Sequence, residues 1–373
     1  MHNRIKERAL LKRKLSAGVN IQMPAPRRIG KTWTAGKLAD DLRKEDWAVV
    51  ELDVEGMRTI EEFARKLAKK IEGQSKLKDR FLAHVSTRLD NLLGGNWGTN
   101  PIDALSNIDP VEFLETLIEA LNDNSFPTVI IIDEIAYFIL ALAEQDQTSA
   151  HGFSYKLRGI QQQFKNVRWL LTGSIGLDTI ARRYDLEGAF VDFEKFVLEP
   201  FTKGEARSFL LDEKIQELFN HKFTASEKVL DQMFDELGWL APYYLKLIAN
   251  EIRPSINNSD NGPDEATRED FEAAFDKLLQ PSRKSDFAVW REHVRKNLTK
   301  SDSDLAMQLL HKLCEQTSGE TIETLLASLS KPNRRSIKDT LDILVTDGLL
   351  VKNSGRFAFR SGLVRRYWQE YEA

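Results

Sequence analysis

The chain has 373 residues, a net charge of −4 and a single cysteine, Cys314. That length allows two or three domains and a sizeable core. The mild acidity gives no global drive toward nucleic acid or acidic membrane, and one cysteine excludes an intramolecular disulfide framework.

The first residues carry Arg4, Lys6, Arg8, Lys12, Arg13 and Lys14, but also Glu7, and lack an apolar h-region. They read as a solvated helix face rather than a targeting peptide. Alternating residues predict a first strand over 19–23. The run Met23-Pro-Ala-Pro-Arg-Arg-Ile-Gly-Lys-Thr32 follows, and 33–43 has helical composition with Leu38, Ala39 and Leu42 on one side. A second strand is predicted over 47–53. Residues 56–126 hold two or three helices, interrupted by a Gly- and Asn-rich loop over 94–101. The apolar, β-branched run 128–132 predicts a central parallel strand buried on both faces, and it ends in Asp133-Glu134. A helix near 153–164 leads to a fourth strand over 167–172, and a fifth is predicted over 196–199. Strands alternating with helices indicate α/β architecture with a parallel sheet. Residues 203–280 read as helical around a polar loop over 255–263.

The most hydrophobic stretch, 129–143, is broken by Asp133 and Glu134, so no transmembrane span is expected. The chain reads as cytoplasmic with no membrane partner. Six histidines lack ligand spacing, so no structural metal is expected.

Two motifs carry chemistry. The loop from strand to helix would point several backbone N–H groups and a helix dipole at one spot, which suits a triphosphate. Gly30 lets the backbone approach the phosphates, Lys31 reaches the β- and γ-phosphates, and Thr32 holds magnesium. The nucleotide-binding run is Pro26, Arg27, Arg28, Ile29, Gly30, Lys31, Thr32 and Trp33. Ala25 stands where G-x-x-x-x-G-K-[ST] has its first glycine; a positive φ there would cost about 1 kcal/mol. Arg27 or Arg28 would help hold phosphate, or both would meet a carboxylate elsewhere.

The second motif places Asp133 at the tip of the adjoining strand, where it would hold the magnesium through water. Glu134 would polarise the attacking water as general base. Capping of a helix starting near Ile135 is an alternative use of the pair. Either Ser174 or Thr172, at the end of strand four, would contact the γ-phosphate or the water, or the segment is a plain turn. Arg182 and Arg183 are either a surface basic pair or a source of an arginine acting on a neighbour's triphosphate in a nucleotide-dependent homo-oligomer.

Pro26-Arg-Arg-Ile-Gly-Lys-Thr32, Ile131-Ile-Asp-Glu134, Leu171-Thr-Gly-Ser174 and Leu198-Glu-Pro-Phe201 together resemble the archaeal-type P-loop ATPases of the STAND group, relatives of AAA+ proteins. Gly238-Trp-Leu-Ala-Pro242 is similar to the lid-helix motif of that family, with wider spacing than its Gly-x-Pro. The resemblance implies ATP rather than GTP, with Pro242 near the adenine. It also implies a switch in which ATP draws lid and core together, and a protein effector, in some members within defence or mobile-element systems.

The C-terminal segment predicts helices over 304–314, 320–328 and 333–346, then a hairpin with strands over 349–352 and 356–360. Ile337, Leu341 and Leu344 line one face of the third helix. Three helices and a hairpin suggest a winged helix. Arg334, Arg335 and Lys338, with Arg356 and Arg360 on the wing, would be its contacts to DNA; packing on the lid or a protein is the alternative. The expected organisation is a P-loop core over 1–201, a helical lid over 202–285 and a winged helix over 286–373. ATP hydrolysis controlling a protein partner is the first expectation; a DNA-associated ATPase that loads or remodels a nucleoprotein complex is the second.

Overall fold

A computed structural model describes residues 4–74, 83, 86, 87, 90, 108–123, 125–174, 176–257, 263–298, 300–329 and 333–372. The loop expected over 94–101 lies outside them. The chain divides into two units, one of Arg4–Ala25 with Lys31–Leu198, the other of Pro26–Gly30 with Glu199–Ala373.

In the first unit the described elements are α1 (Ile5–Ser16), β1 (Ile21–Pro24), α2 (Lys31–Lys44), β2 (Ala48–Asp53), α3 (Ile60–Glu72), α4 (Pro110–Asn122), β3 (Thr128–Asp133), α5 (Ile135–Gln145), α6 (Gln147–Gln163), β4 (Val167–Gly173), α7 (Leu177–Arg183) and β5 (Glu194–Lys195). The strands form one parallel sheet in the order β2-β3-β4-β1-β5. Val129 to Ile132 are buried, as an unbroken apolar run between two parallel neighbours requires. The register sets Asp53 beside Asp133, and Met23 beside Thr172. The carboxyl ends of β2, β3, β4 and β1 therefore share one edge, where doubly wound sheets bind ligands.

Two expectations change here. The strand before the phosphate loop does not adjoin the acidic strand, because β4 stands between them. Spacing along a chain fixes strand direction but not strand neighbours. The fifth strand lies at Glu194–Lys195 rather than over 196–199. Phe196 and Leu198 are buried and Val197 is exposed, so the side chains alternate as on a strand, but the ladder stops after the Phe196 N–H bonds to Gln22.

Local sequence explains where the helices begin. Thr59 and Glu62 form a capping box at α3, and Asp146 caps α6. Phe63, Phe138 and Phe153, from α3, α5 and α6, pack with ring centroids 5.3–5.4 Å apart. Two basic residues of α1 reach α2, with Arg8 2.8 Å from Asp41 and Lys12 2.5 Å from Glu45, while Lys14 pairs with Glu194 of β5.

The second unit holds α8 (Lys203–Leu211), α9 (Glu213–Gln216), α10 (Glu227–Leu237), α11 (Pro242–Glu251), α12 (Arg268–Leu278), α13 (Ser285–Asn297), α14 (Lys300–Cys314), β6 (Glu320–Thr321), α15 (Ile322–Ser328), α16 (Arg334–Thr346), β7 (Leu350–Asn353), β8 (Arg356–Phe359) and α17 (Gly362–Tyr371). From α14 to β8 the elements run helix, strand, helix, helix, strand, strand, with an antiparallel sheet β6-β8-β7. Residues 320 and 321 pair with β8 instead of starting a helix, and the Thr321 hydroxyl caps α15 at the Thr324 N–H. Helices α13 and α17 were not anticipated, although Phe287, Trp290 and Val294 at i, i+3 and i+7 are all buried.

Ile130 is fully buried in the strand flanked by β2 and β4. Ile130→Ala should lower the unfolding free energy of its unit by about 2–5 kcal/mol, read as a lowered urea midpoint.

Candidate functional site

The phosphate-loop candidate starts as β1 ends. The Ala25 N–H donates to the carbonyl of Gly173 at 3.4 Å. The left-handed positions in the loop are Arg28, with φ 74°, and Gly30, with φ 93°; Ala25 is not among the positive-φ residues. The missing first glycine therefore carries no left-handed cost, and the cost falls on Arg28, at about 1–2 kcal/mol for a residue with a Cβ. Helix α2 begins at Lys31, which leaves its first N–H groups and positive dipole end facing the loop.

Four more side chains close on Lys31 and Thr32. The Lys31 ammonium is only 7% exposed and lies 3.0 Å from Oε1 of Glu134 and 3.8 Å from Oδ1 of Asp133. The Thr32 hydroxyl donates to Oδ2 of Asp133 at 2.9 Å. The Thr172 hydroxyl donates to Oδ1 of Asp133, which also accepts the Glu134 N–H at 3.1 Å. Oε2 of Glu134 accepts both the N–H and the hydroxyl of Ser174, each at 2.9 Å.

Glu134 adopts a left-handed conformation, φ 59° and ψ 34°, and its side chain makes no cap hydrogen bond to the helix it precedes. The capping alternative is set aside: the carboxylate turns to Lys31 and Ser174 instead. Burial pushes this carboxyl up, but the Lys31 charge, the Ser174 N–H and the Lys31 and Ser174 side-chain hydrogen bonds outweigh it. The group sits below the ordinary glutamate value and is ionised at neutral pH.

The structure thus brings Lys31, Thr32, Asp133, Glu134 and Ser174 together. Both strand-four candidates meet a carboxylate, Thr172 that of Asp133 and Ser174 that of Glu134. The spacing of two on a strand, which puts both on one face, was the signal. Ile29 is buried, and Pro26, Arg27, Arg28, Gly30 and Trp33 are half-buried. Pro242 is buried in the first turn of α11. Arg182 and Arg183 occupy the last turn of α7, the first exposed and the second half-buried.

The hydroxyl of Thr32 and the carboxylate of Asp133 are hard oxygen donors within hydrogen-bond distance, a pair that suits a magnesium ion completing its shell with water and phosphate. Among the described residues no group of three or more His, Cys, Asp or Glu could hold a metal, and no helix is long and apolar enough to cross a membrane.

No protein-family model and no curated protein matches this chain. Its structure is similar to that of a Walker-type ATPase of Pyrococcus abyssi, with TM-score 0.67 and 15% identity over 98% of this chain and 95% of the other. It is also similar to the ORC2 protein of Aeropyrum pernix, solved in ADPNP-ADP complexes, with TM-score 0.54 and 13% identity over 99% and 95%. The fold is that of a P-loop ATPase. Lys31 at the start of α2 and the carboxylates ending β3 lie at the edge where the carboxyl ends of the strands meet.

Because the Glu134 carboxyl is depressed in the folded chain, its contribution to stability is fully present above its ordinary value of 4.5 and lost as pH falls through the depressed value. The melting-temperature difference between wild type and Glu134→Gln should be constant from pH 7 to about 5 and should change progressively at lower pH, as thermal scans across that range will show.

Proposed function

We propose that this chain binds Mg·ATP and hydrolyses it to ADP and phosphate, as a nucleotide-dependent switch acting on a protein partner. The observation that carries this reading is the Lys31 ammonium buried beside Asp133 and Glu134, with Ser174 holding the second carboxylate. The amides of the loop and Lys31 would hold the β- and γ-phosphates, and Thr32 and Asp133 the magnesium. Bound Mg·ATP supplies the electrophilic phosphorus and the metal charge. Lys31 turns from Glu134 toward the phosphates, and Glu134, relieved of part of that attraction, gains basicity. Its carboxylate then orients a water and accepts its proton, while Ser174 fixes the direction of the carboxylate.

The reading extends to membership of the STAND group among AAA+-related ATPases, with a core over 1–201, a lid over 202–285 and a winged helix over 286–373. Pro242 would lie near the adenine, and Arg182 or Arg183 would reach a neighbour's triphosphate in a nucleotide-dependent homo-oligomer. The partner would be an effector, with defence or mobile-element systems as the setting, in the cytoplasm.

A DNA-associated ATPase is the second reading, and one observation favours it. Arg335 is 90% exposed on α16, its guanidinium 3.8 Å from the Asp339 carboxylate, one turn from exposed Lys338. The rest of the expected basic set is held more closely. Arg334 pairs with Glu323 at 2.7 Å, and Arg356 donates to the Gly319 carbonyl at 3.0 Å. Arg360 is not a wing cation facing phosphate. Its guanidinium turns inward to the carbonyls of Leu350 and Val345, and burial holds its pKa down.

Lys31→Ala should abolish measurable Mg·ATP binding in calorimetry. Glu134→Gln should keep binding but lower steady-state phosphate release by about 10²- to 10⁴-fold. Equal turnover in wild type and Glu134→Gln would remove Glu134 as the base. Duplex DNA should produce no mobility shift at physiological salt; a shift abolished by Arg334→Glu with Arg335→Glu would move the conclusion to the second reading.

A further inference from the structure

Arg28 stands three residues before Lys31, in the loop assigned above to the triphosphate, and it holds a left-handed backbone without being glycine. Its guanidinium carbon lies 3.9 Å from the ring centroid of Tyr243, in the first turn of α11. That ring is firmly backed. Tyr243 meets Tyr244 edge-on at 5.5 Å. Tyr244 is fully buried, accepts the Trp290 indole N–H, packs on Trp239 at 5.7 Å and stacks on Phe287. Pro242 starts the helix and fixes the backbone beneath the ring. A second loop residue is pinned as well: Pro26 occupies the space that a Cβ on Gly348 would need.

We propose that Tyr243 is a positioning residue for nucleotide binding, because its ring clasps Arg28 and so holds the phosphate loop in its left-handed, receptive form before ATP arrives. The inference rests on the functional reading above. A cation over an aromatic face is attractive and directional, and the attraction grows as the pair is shielded from water. The left-handed turn at Arg28 is otherwise unfavourable, so an empty loop lacking the clasp would relax to other conformations. ATP would then bind only the fraction that remained receptive, and apparent affinity would fall by that fraction. On this account Tyr243 touches no phosphate, and Arg28 acts through its ring contact rather than as a phosphate ligand.

The test measures Mg·ATP affinity by calorimetry, with KM and kcat for hydrolysis, in folded variants checked by thermal scans. Arg28→Gln, Tyr243→Leu and the double variant should each weaken binding by about five- to tenfold, the double no more than either single. Tyr243→Phe, which keeps the aromatic face, should bind as wild type does, and the losses should appear in KM with kcat changed less than twofold. Arg28→Gly relieves the left-handed backbone without a side chain, so it should recover most of what Arg28→Gln loses. That comparison stands even if Tyr243→Leu does not fold. Arg28→Gly as weak as Arg28→Gln, or losses that multiply in the double variant, would overturn the proposal and make Arg28 a direct phosphate contact. Wild type without affinity for Mg·ATP would instead overturn the functional reading itself.

Discussion

A buried ammonium governs the first unit. Removing Lys31 from water costs several kcal/mol unless a matching anion accompanies it, and two carboxylates do so here. Each of those is satisfied in turn, Asp133 by the hydroxyls of Thr32 and Thr172, Glu134 by the N–H and hydroxyl of Ser174. The network has members from the start of α2 and the ends of β3 and β4. It forms only because the sheet order sets those ends side by side, and because Glu134 accepts a left-handed backbone that turns it away from the helix it precedes. The same charges carry the proposed chemistry and hold the network together.

The phosphate loop shows how strain and attraction meet in one segment. Between β1 and α2 the backbone holds positive φ at two positions, and one of them is an arginine. The side chain at that position finds an aromatic face whose own support is a cluster of buried rings, Tyr244, Trp239, Trp290 and Phe287. A loop made of Gly alone would reach the same conformation but would lose more conformational freedom on ordering. An arginine there gives up backbone ease for a defined contact.

In the C-terminal segment, sequence composition overstates the available positive charge. Of the five cations that a DNA interface would recruit, Arg334, Arg356 and Arg360 are bonded to groups of their own unit. Arg360 shows why a basic residue next to a strand is ambiguous: position on the hairpin does not say whether the side chain lies over the core or over solvent. Its half-buried guanidinium donates to the backbone carbonyls of Leu350 and Val345.

The sequence by itself determined the strand–loop–helix start, the buried acidic strand and the parallel α/β class, and it marked Lys31, Thr32, Asp133, Glu134 and Ser174 as candidates. These are local properties, set by periodicity, by β-branched runs and by chemistry that only a few residue types can perform. Tertiary structure alone decided that β4 separates the two motif strands, that Thr172 and Ser174 serve different carboxylates, that Glu134 does not cap, and that Arg28 rests on Tyr243. Such facts depend on which strands become neighbours and where side chains point, and residues far apart in the chain meet through packing that no short window of sequence encodes. The fifth strand shows the boundary between the two kinds of knowledge. Its sequence placed a strand over 196–199, but only the partner strand decided where hydrogen bonding would stop.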